Sequence, residues 1–440
     1  MRMIRICAAP AMLGAFRELH GLDGKTFDEQ IGVLRAENMV LPGGWAKSMA
    51  DHGVQVFDVL YDDLRLQRQW AEENGFSKLV KQPNFAFKIL VEQAKAFRPD
   101  VVFLYAGGFF LVQREARQRL RDALSRAALV TGFWGDELPP RHTYQSYFGD
   151  LHFVFCSSSA YQAHFDDIGI PAFSIGNCFD PTISYDRRAP KIYDLTFSGT
   201  TGYGFPDHVK RYNALAQLLA ATPLQIWARE RSARFRPVTD PAKIALLKLL
   251  SKFSGSALHA AFAPLGGKFK RLAELATSIR ETGIDPEHLF VRIAHPNGRY
   301  FDDLEPLTLR FPGRVSGPLV NSSDYCRLVA QSRLVLNFHR DEEADVGNVR
   351  CFEVTGLGSC LITDRGRQLR EFFDPDCDIV TFESIGECVD KVSYLLNHQN
   401  EIEKIASSGQ KVTIARHTVA NRCQVVASVL RIRLSSGRHC

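Results

Sequence analysis

The chain lacks several features that would place it quickly. It has no apolar run near the roughly 18 residues that a membrane-spanning helix needs. Its ten cysteines (Cys7, Cys156, Cys178, Cys326, Cys351, Cys360, Cys377, Cys388, Cys423 and Cys440) are scattered and never spaced C-x-x-C, so the common zinc and dithiol signatures are missing. The formal net charge of +5 over 440 residues is small for a nucleic-acid binder, which usually carries a basic domain or stripe. No Gly-x-Gly-x-x-Gly follows the first apolar run and no P-loop occurs, which argues against a dinucleotide dehydrogenase or a P-loop NTPase. What is present is ordinary for a soluble globular chain, with 45% hydrophobic and 23% charged residues. Several cysteines sit inside apolar runs as small hydrophobes, the usage expected in a reducing cytoplasm. The start, "MRMIRICAAPAML", has a short and broken apolar part and reads as a first strand rather than a signal peptide. The length fits two domains with an insertion.

The first half alternates short apolar runs with longer amphipathic ones. "MIRICAA" (3–9), "VQVFDVLY" (54–61), "VVFLYAG" (101–107), "ALVTGFWG" (128–135), "HFVFCSS" (152–158) and "AFSIGN" (172–177) are expected strands. They are nearly continuous in apolar residues, as strands of a parallel sheet covered on both faces are. Stretches such as "PGGWAKSMADHG", "REARQRLRDALSRA" and "SSAYQAHFDDIG" are expected helices between them, so the pattern is a series of β-α-β units. "FDPTISYDRRAPKIYD" (179–194) has two prolines, several charges and no period, and reads as a linker. The alternation then restarts with strands "DLTFSGT" (194–200), "LQIWAR" (224–229), "GRVSGPL" (313–319), "LVLNFH" (334–339) and "DIVTF" (378–382). A helix opens at Ser384, where Glu387 three residues on makes a capping box.

Residues 230–285 interrupt the second half with a helical, basic stretch. Lys248 and Lys252 fall opposite Ile244, Leu247, Leu250 and Phe253 on a helical wheel. Such a segment either packs on its own domain, the usual fate of an amphipathic helix, or lies on a membrane surface.

The most unusual stretch is "NVRCFEVTGLGSCLIT" (348–363). It opens a helix after the strand "LVLNFH", and Gly356 and Gly358 close that helix before "CLIT". In open α/β sheets ligands bind beyond the carboxyl ends of the strands, where helix N-termini offer unpaired N–H groups and partial positive charge. Arg350 in the first turn can add a bidentate donor to a diphosphate. Glu353, one turn in, can accept two hydrogen bonds from a ribose diol. Asp345 lies eight residues earlier, an acid-x7-acid spacing.

"RCFEVTGLGSCLITD", preceded by "LVLNFH" and followed by a capped helix and "HTVANR", resembles the C-terminal domain of GT-B glycosyltransferases. More narrowly, it looks like the group-1-type branch that includes CgeB-like proteins. The resemblance implies an α/β protein of GT-B fold, with two Rossmann-like doubly wound domains facing a cleft. Residues 1–185 would form the acceptor-side domain and 191–415 the nucleotide-sugar domain carrying the 230–285 insertion. A helix over 416–440 would cross back to the first domain. It implies transfer of a sugar from a nucleotide sugar, with no resident cofactor or metal, in polysaccharide or glycoconjugate synthesis in the cytoplasm. Asp345 and Glu353 fall on the family's acid-x7-Glu pair, which handles the donor sugar and the ribose; the first position is usually Glu, so Asp345 departs from the pattern. The same match gives Gly199 and Thr200 beside the diphosphate and Arg211 as a second phosphate ligand. It also gives Ser316 and Gly317 along the base, and Asn337 and His339 facing the cleft.

On the acceptor side, "FWGDELPPRH" (133–142) follows a strand and puts Asp136, Glu137 and His142 at its carboxyl end. Asp136 or His142 is the expected general base for an inverting transfer, whereas the acid-x7-acid pair leans towards retention. Gly107 and Gly108 of "YAGGFF" either admit a ligand to the backbone or only turn the chain, and "LPGGWAKS" (41–48) is a further stretch for the acceptor side. "DPD" (374–376) reads as a turn, not as the metal site of a GT-A enzyme, and "HRDEE" (339–343) lacks ligand spacing. Two other functions stay open: a catalytically silent sugar-nucleotide binder or coat-type protein, and a sugar-nucleotide epimerase. The acceptor is a sugar, a lipid-linked group or a protein; nucleic acid is not expected, and residues 240–280 are the place for any membrane contact.

Overall fold

A computed structural model describes residues 1–10, 12–124, 128–135, 138–139, 141–183, 186, 189–203, 209–230, 234–237, 240–262, 267–286, 290–293, 305–339, 348–366 and 369–436. The first six strands are β1 (Arg2–Cys7), β2 (Gln55–Leu60), β3 (Val101–Tyr105), β4 (Leu129–Trp134), β5 (Val154–Cys156) and β6 (Ala172–Ser174). They form one parallel sheet in the order β2-β1-β3-β4-β5-β6. Each is shorter than its apolar run, because the residues beyond Cys7, Tyr105 and Trp134 turn out of the sheet at its carboxyl edge. The second half contributes β7 (Tyr193–Thr200), β8 (Leu224–Arg229), β9 (Arg234–Pro237), β10 (Phe290–Ile293), β11 (Val315–Ser316), β12 (Ser332–Asn337), β13 (Cys360–Asp364) and β14 (Val380–Phe382). Six of these make a second parallel sheet, ordered β11-β8-β7-β12-β13-β14. In each sheet the order reverses once, between β1 and β3 and between β7 and β12. The crevice above such a reversal is where α/β sheets take ligands.

Both faces of both sheets are covered, which is why the strands are mostly apolar. Ile4, Ile6, Val102, Leu104 and Val130 line one face of the first sheet. Met3, Val101, Phe103, Phe133 and Phe155 line the other, packed against Val419, Cys423, Val426, Ala427 and Leu430 of the last helix, Val419–Ser436. The chain's end therefore returns to the first sheet. The helix Trp45–Ala50 covers the same face, and Arg5 of β1 is buried against it. Arg5 Nε donates to Asp58 (2.5 Å) and its Nη1 to the carbonyls of Leu41 and Pro42 (both 3.3 Å), pinning the "LPGGWAKS" loop to the sheet. Gly107 and Gly108 serve packing: a Cβ on Gly108 would lie 2.2 Å from the Ile6 carbonyl, and one on Gly107 2.5 Å from Ala8 Cβ.

The insertion differs from its expectation in two ways. It is framed by an antiparallel pair, β9 with β10, which the basic helical pattern did not announce. Its helices Pro241–Leu250, Gly255–Phe262 and Gly267–Thr282 pack around their own small core, and the last of them also reaches the first domain. Tyr61 Oη donates to the Thr282 carbonyl (2.5 Å), Asn84 N–H to the Arg280 carbonyl (2.5 Å), and Arg68 pairs with Glu281 (2.9 Å). Elsewhere the two halves meet where the linker and the returning chain run side by side. Phe179 N–H donates to the His417 carbonyl (2.8 Å) and Val419 N–H to the Phe179 carbonyl (2.9 Å).

Candidate functional site

All strands of the second sheet are parallel, so their last residues share one edge: Thr200 on β7, Ser316 on β11, Asn337 on β12 and Asp364 on β13. The helix Val349–Gly356 follows β12 and starts at that edge. Its N-cap, Asn348, gives no side-chain cap; its amide instead donates to Asn337 Oδ1 (3.2 Å) and to the Phe338 carbonyl (3.3 Å). The first-turn N–H groups thus keep no side-chain acceptor among the described residues, and the helix dipole adds partial positive charge there.

Arg350 sits in this first turn. Its guanidinium lies over the Phe197 ring at 5.9 Å, and its Nε is buried with no hydrogen-bond partner among the described residues. Gly199 makes room for it. The residue has φ 157°, where side chains rarely go, and a Cβ there would stand 3.3 Å from Arg350 Nη1 and 3.2 Å from the Phe197 ring. Across the same reversal point, Arg211 donates to Thr200 Oγ1 (3.1 Å) and to the His339 carbonyl (3.5 Å). Two guanidiniums therefore flank the ends of β7 and β12, a suitable surround for a diphosphate.

Glu353 lies one turn beyond Arg350 and is half-buried. Burial raises its pKa above the usual glutamate value, and the nearby Arg350 and Tyr325 oppose that rise. Tyr325, on the helix Ser322–Ala330, is buried in the electrostatic field of both residues, and its hydroxyl has no hydrogen-bond partner within ordinary limits among the described residues. The Tyr325 hydroxyl lies near enough to Glu353 to favour its charged form, and the carboxylate's two oxygens still leave acceptor capacity for a polar ligand.

Other candidates are engaged inside the protein. Asn337 is fully buried, donating to Thr363 Oγ1 (3.1 Å) and Cys351 Sγ (3.5 Å) while accepting from Asn348. It fixes the helix start rather than reaching outward. The His339 ring is buried, with Nδ1 2.8 Å from Asp364 and Nε2 3.8 Å from Cys351 Sγ. Burial alone would lower its pKa, but the hydrogen bonds to Asp364 and Cys351 hold it well above the ordinary histidine value. Asp364 is correspondingly held below the usual aspartate range: burial works against that, and the contact with His339 outweighs it. Ser316 and Gly317 are exposed at the end of the edge strand β11, two strands from β7, and join none of these contacts. Asp364, Tyr325 and Asn348 were not singled out in the sequence. Asp364 closes the run "CLITD" and is recoverable as the strand's last residue, whereas nothing local marks Tyr325.

In the first domain His142 is exposed on a short 3-10 turn, Arg141–Thr143, past the end of β4. Asp136, Glu137 and Asp345 lie outside the described residues, as does most of "HRDEE". Among the described residues no helix is long and apolar enough to cross a membrane.

Residues 278–428 match the family model Glyco_trans_1_2, described as glycosyl transferase-like. The match spans β10 to β14 and most of the last helix, and so includes the arginine and carboxylate of the motif helix. No curated protein sequence matches the chain. Among solved structures, sucrose-phosphate synthase from Thermosynechococcus elongatus is 10% identical, covering 99% of this chain and 100% of that one, with a TM-score of 0.49. HepE from Anabaena, in complex with UDP and glucose, is 14% identical over 97% and 99%, with a TM-score of 0.48. A glycosyltransferase from Rickettsia africae is 11% identical over 97% of each chain, with a TM-score of 0.47. Residues 278–428 thus resemble a glycosyl transferase-like family, and the two halves form the doubly wound parallel sheets expected from the sequence.

Proposed function

We propose that the protein is a glycosyltransferase that moves a sugar from a nucleotide-sugar donor to an acceptor hydroxyl. The observation that carries the reading is the placing of Arg350 and Glu353, one turn apart, on a helix that starts at the carboxyl edge of the second sheet and whose first turn has no side-chain cap among the described residues. Gly199 lets the guanidinium lie against the end of β7. In this reading Arg350, Arg211 and the helix N-terminus take the diphosphate, and Glu353 takes the ribose diol. The acceptor oxygen attacks the anomeric carbon, the carbon–oxygen bond to the diphosphate breaks, and its electron pair leaves with the diphosphate. The charge that develops there is what the two guanidiniums and the helix end are placed to stabilise, without calling on a metal. A base on the first domain takes the acceptor proton; Asp136 and His142 are the candidates, and Asp136 in that role makes the reaction inverting. Asp345 is the candidate for the donor sugar, with Ser316 and Gly317 for the base. The described cysteines are all free, which fits work in the cytoplasm.

The test is a thermal-shift screen against nucleotides and sugar nucleotides. A nucleotide held at about 100 times its dissociation constant stabilises the fold by roughly 2.7 kcal/mol. Glu353→Ala is expected to lose most of that shift while the ligand-free protein melts as before. A full shift in the variant removes the ribose assignment, and no shift with any nucleotide removes the donor reading. Because burial raises the Glu353 pKa, nucleotide affinity should weaken on acidification sooner than an exposed glutamate would allow. Transfer to an acceptor separates the enzyme from a silent binder, and donor conversion without an acceptor would identify an epimerase.

A further inference from the structure

The insertion carries more apolar surface than its own core uses. Leu247, Leu250, Leu258, Ala273, Ala276 and Ile279 close that core. A second stripe on the helix Pro241–Leu250 faces away from it. Leu246, Leu249 and, just past the helix end, Phe253 follow one another at i, i+3 and i+7 and are 42%, 52% and 52% exposed. Phe269 on the last insertion helix is exposed as well. Four of the fourteen exposed large apolar side chains among the described residues thus lie between Leu246 and Phe269. The wheel drawn from sequence put Phe253 on the buried side with Leu247; the structure turns it outward.

The same unit is basic. Residues 240–282 hold seven Lys and Arg against three Asp and Glu. Lys243, Lys252, Lys270 and Arg271 are exposed and make no ion pair among the described residues. Apolar side chains flanked by lysines fit the interface of an anionic bilayer, where the first enter the acyl boundary and the second meet the headgroups. A second copy of the chain would bring one basic face against another, which charge opposes. We propose that the insertion docks the protein on an anionic membrane surface through Leu246, Leu249 and Phe253. The Tyr61–Thr282, Asn84–Arg280 and Arg68–Glu281 contacts brace this unit on the first domain, so docking brings the acceptor-side domain to the lipid. An acceptor that is itself lipid-borne suits that placement. The docking stands on the insertion alone and does not depend on the donor reading.

The experiment is vesicle co-sedimentation of the full chain without nucleotide, using phosphatidylcholine alone and phosphatidylcholine with about 30% phosphatidylglycerol. Binding to the anionic vesicles, weakened by added salt, is expected. Leu246→Glu/Leu249→Glu/Phe253→Glu should lower it by about tenfold or more. Lys243→Glu/Lys252→Glu/Lys270→Glu should do the same, and both variants should keep the parent's melting temperature and nucleotide response, since all six side chains are exposed. Failure to bind anionic vesicles overturns the proposal. So does binding that neither variant changes, or a parent chain that sediments as a dimer and becomes monomeric in the apolar variant.

Discussion

Arg350 and Glu353 show how differently two neighbouring charges can be held. The arginine lies over an aromatic ring with its Nε lacking a hydrogen-bond partner among the described residues, and the carboxyl group's pKa is raised by burial while that arginine opposes the rise. Both were legible in the sequence because their spacing on a helix at a strand's end is a local property. Their surroundings were not. Tyr325 comes from another helix, and the Asp364 that occupies His339 lies 25 residues away, so no local pattern pointed His339 inward. Gly199 is the residue on which the arrangement can be probed most sharply. In Gly199→Ala the new Cβ meets the Phe197 ring and Arg350 Nη1 in a backbone region side chains avoid. A loss of roughly 1–3 kcal/mol is expected, read as a lower melting temperature together with a smaller nucleotide-induced shift. An unchanged nucleotide response would detach Gly199 from the donor site.

Among the elements, strands and helices followed their local chemistry closely and their caps less so. Ser384 does cap its helix, accepting from Glu387 N–H (3.2 Å), but the Glu387 carboxylate turns to Glu383 N–H (2.7 Å), so the box expected from Ser-x-x-Glu is half made. The complete box is at Thr26 and Glu29, a helix the apolar pattern left unremarked. The pair β9 and β10 escaped notice because its strands lie more than fifty residues apart in sequence and are joined by helices. Two helical glycines give opposite predictions. Gly32, in Phe27–Ala36, has nothing within 4 Å of an added Cβ, so Gly32→Ala should stabilise by about 0.5–1 kcal/mol. Gly409, in Gln399–Arg416, brings its backbone against the Asp378 carbonyl, where a Cβ would stand at 2.3 Å. Gly409→Ala should cost about 1–3 kcal/mol through overpacking. Urea midpoints of the two variants measure both; equal shifts would mean the close approach at Gly409 is not tight.

At the scale of the whole molecule, two sheets in one chain were readable from two runs of strand–helix alternation divided by a linker. Beyond the returning last helix that the resemblance implied, the sequence withheld how the halves touch. The insertion leans on the first domain, and His417 sits where the returning chain meets the linker, packed among Phe352, Phe372 and Phe373. Its Nδ1 accepts from Arg422 Nη2 (2.8 Å), and burial, aided by that arginine, lowers its pKa to about 4. A histidine kept neutral in the fold contributes stability above its ordinary pKa near 6.5, and that contribution is lost as pH falls towards 4. The protein should be about 2 kcal/mol less stable at pH 5 than at pH 7 on account of this group. His417→Gln should flatten the pH dependence of the urea midpoint over that window. A slope identical to the parent's would assign the acid sensitivity to other groups.

The chain passes between its two sheets twice, and where Phe179 bridges to His417 and Val419 the outgoing and incoming passages are tied to each other. A single thread would let one half swivel about the other in any direction. Two threads tied side by side remove that freedom, and the insertion's hold on Tyr61, Asn84 and Arg68 adds a further point of attachment between the halves.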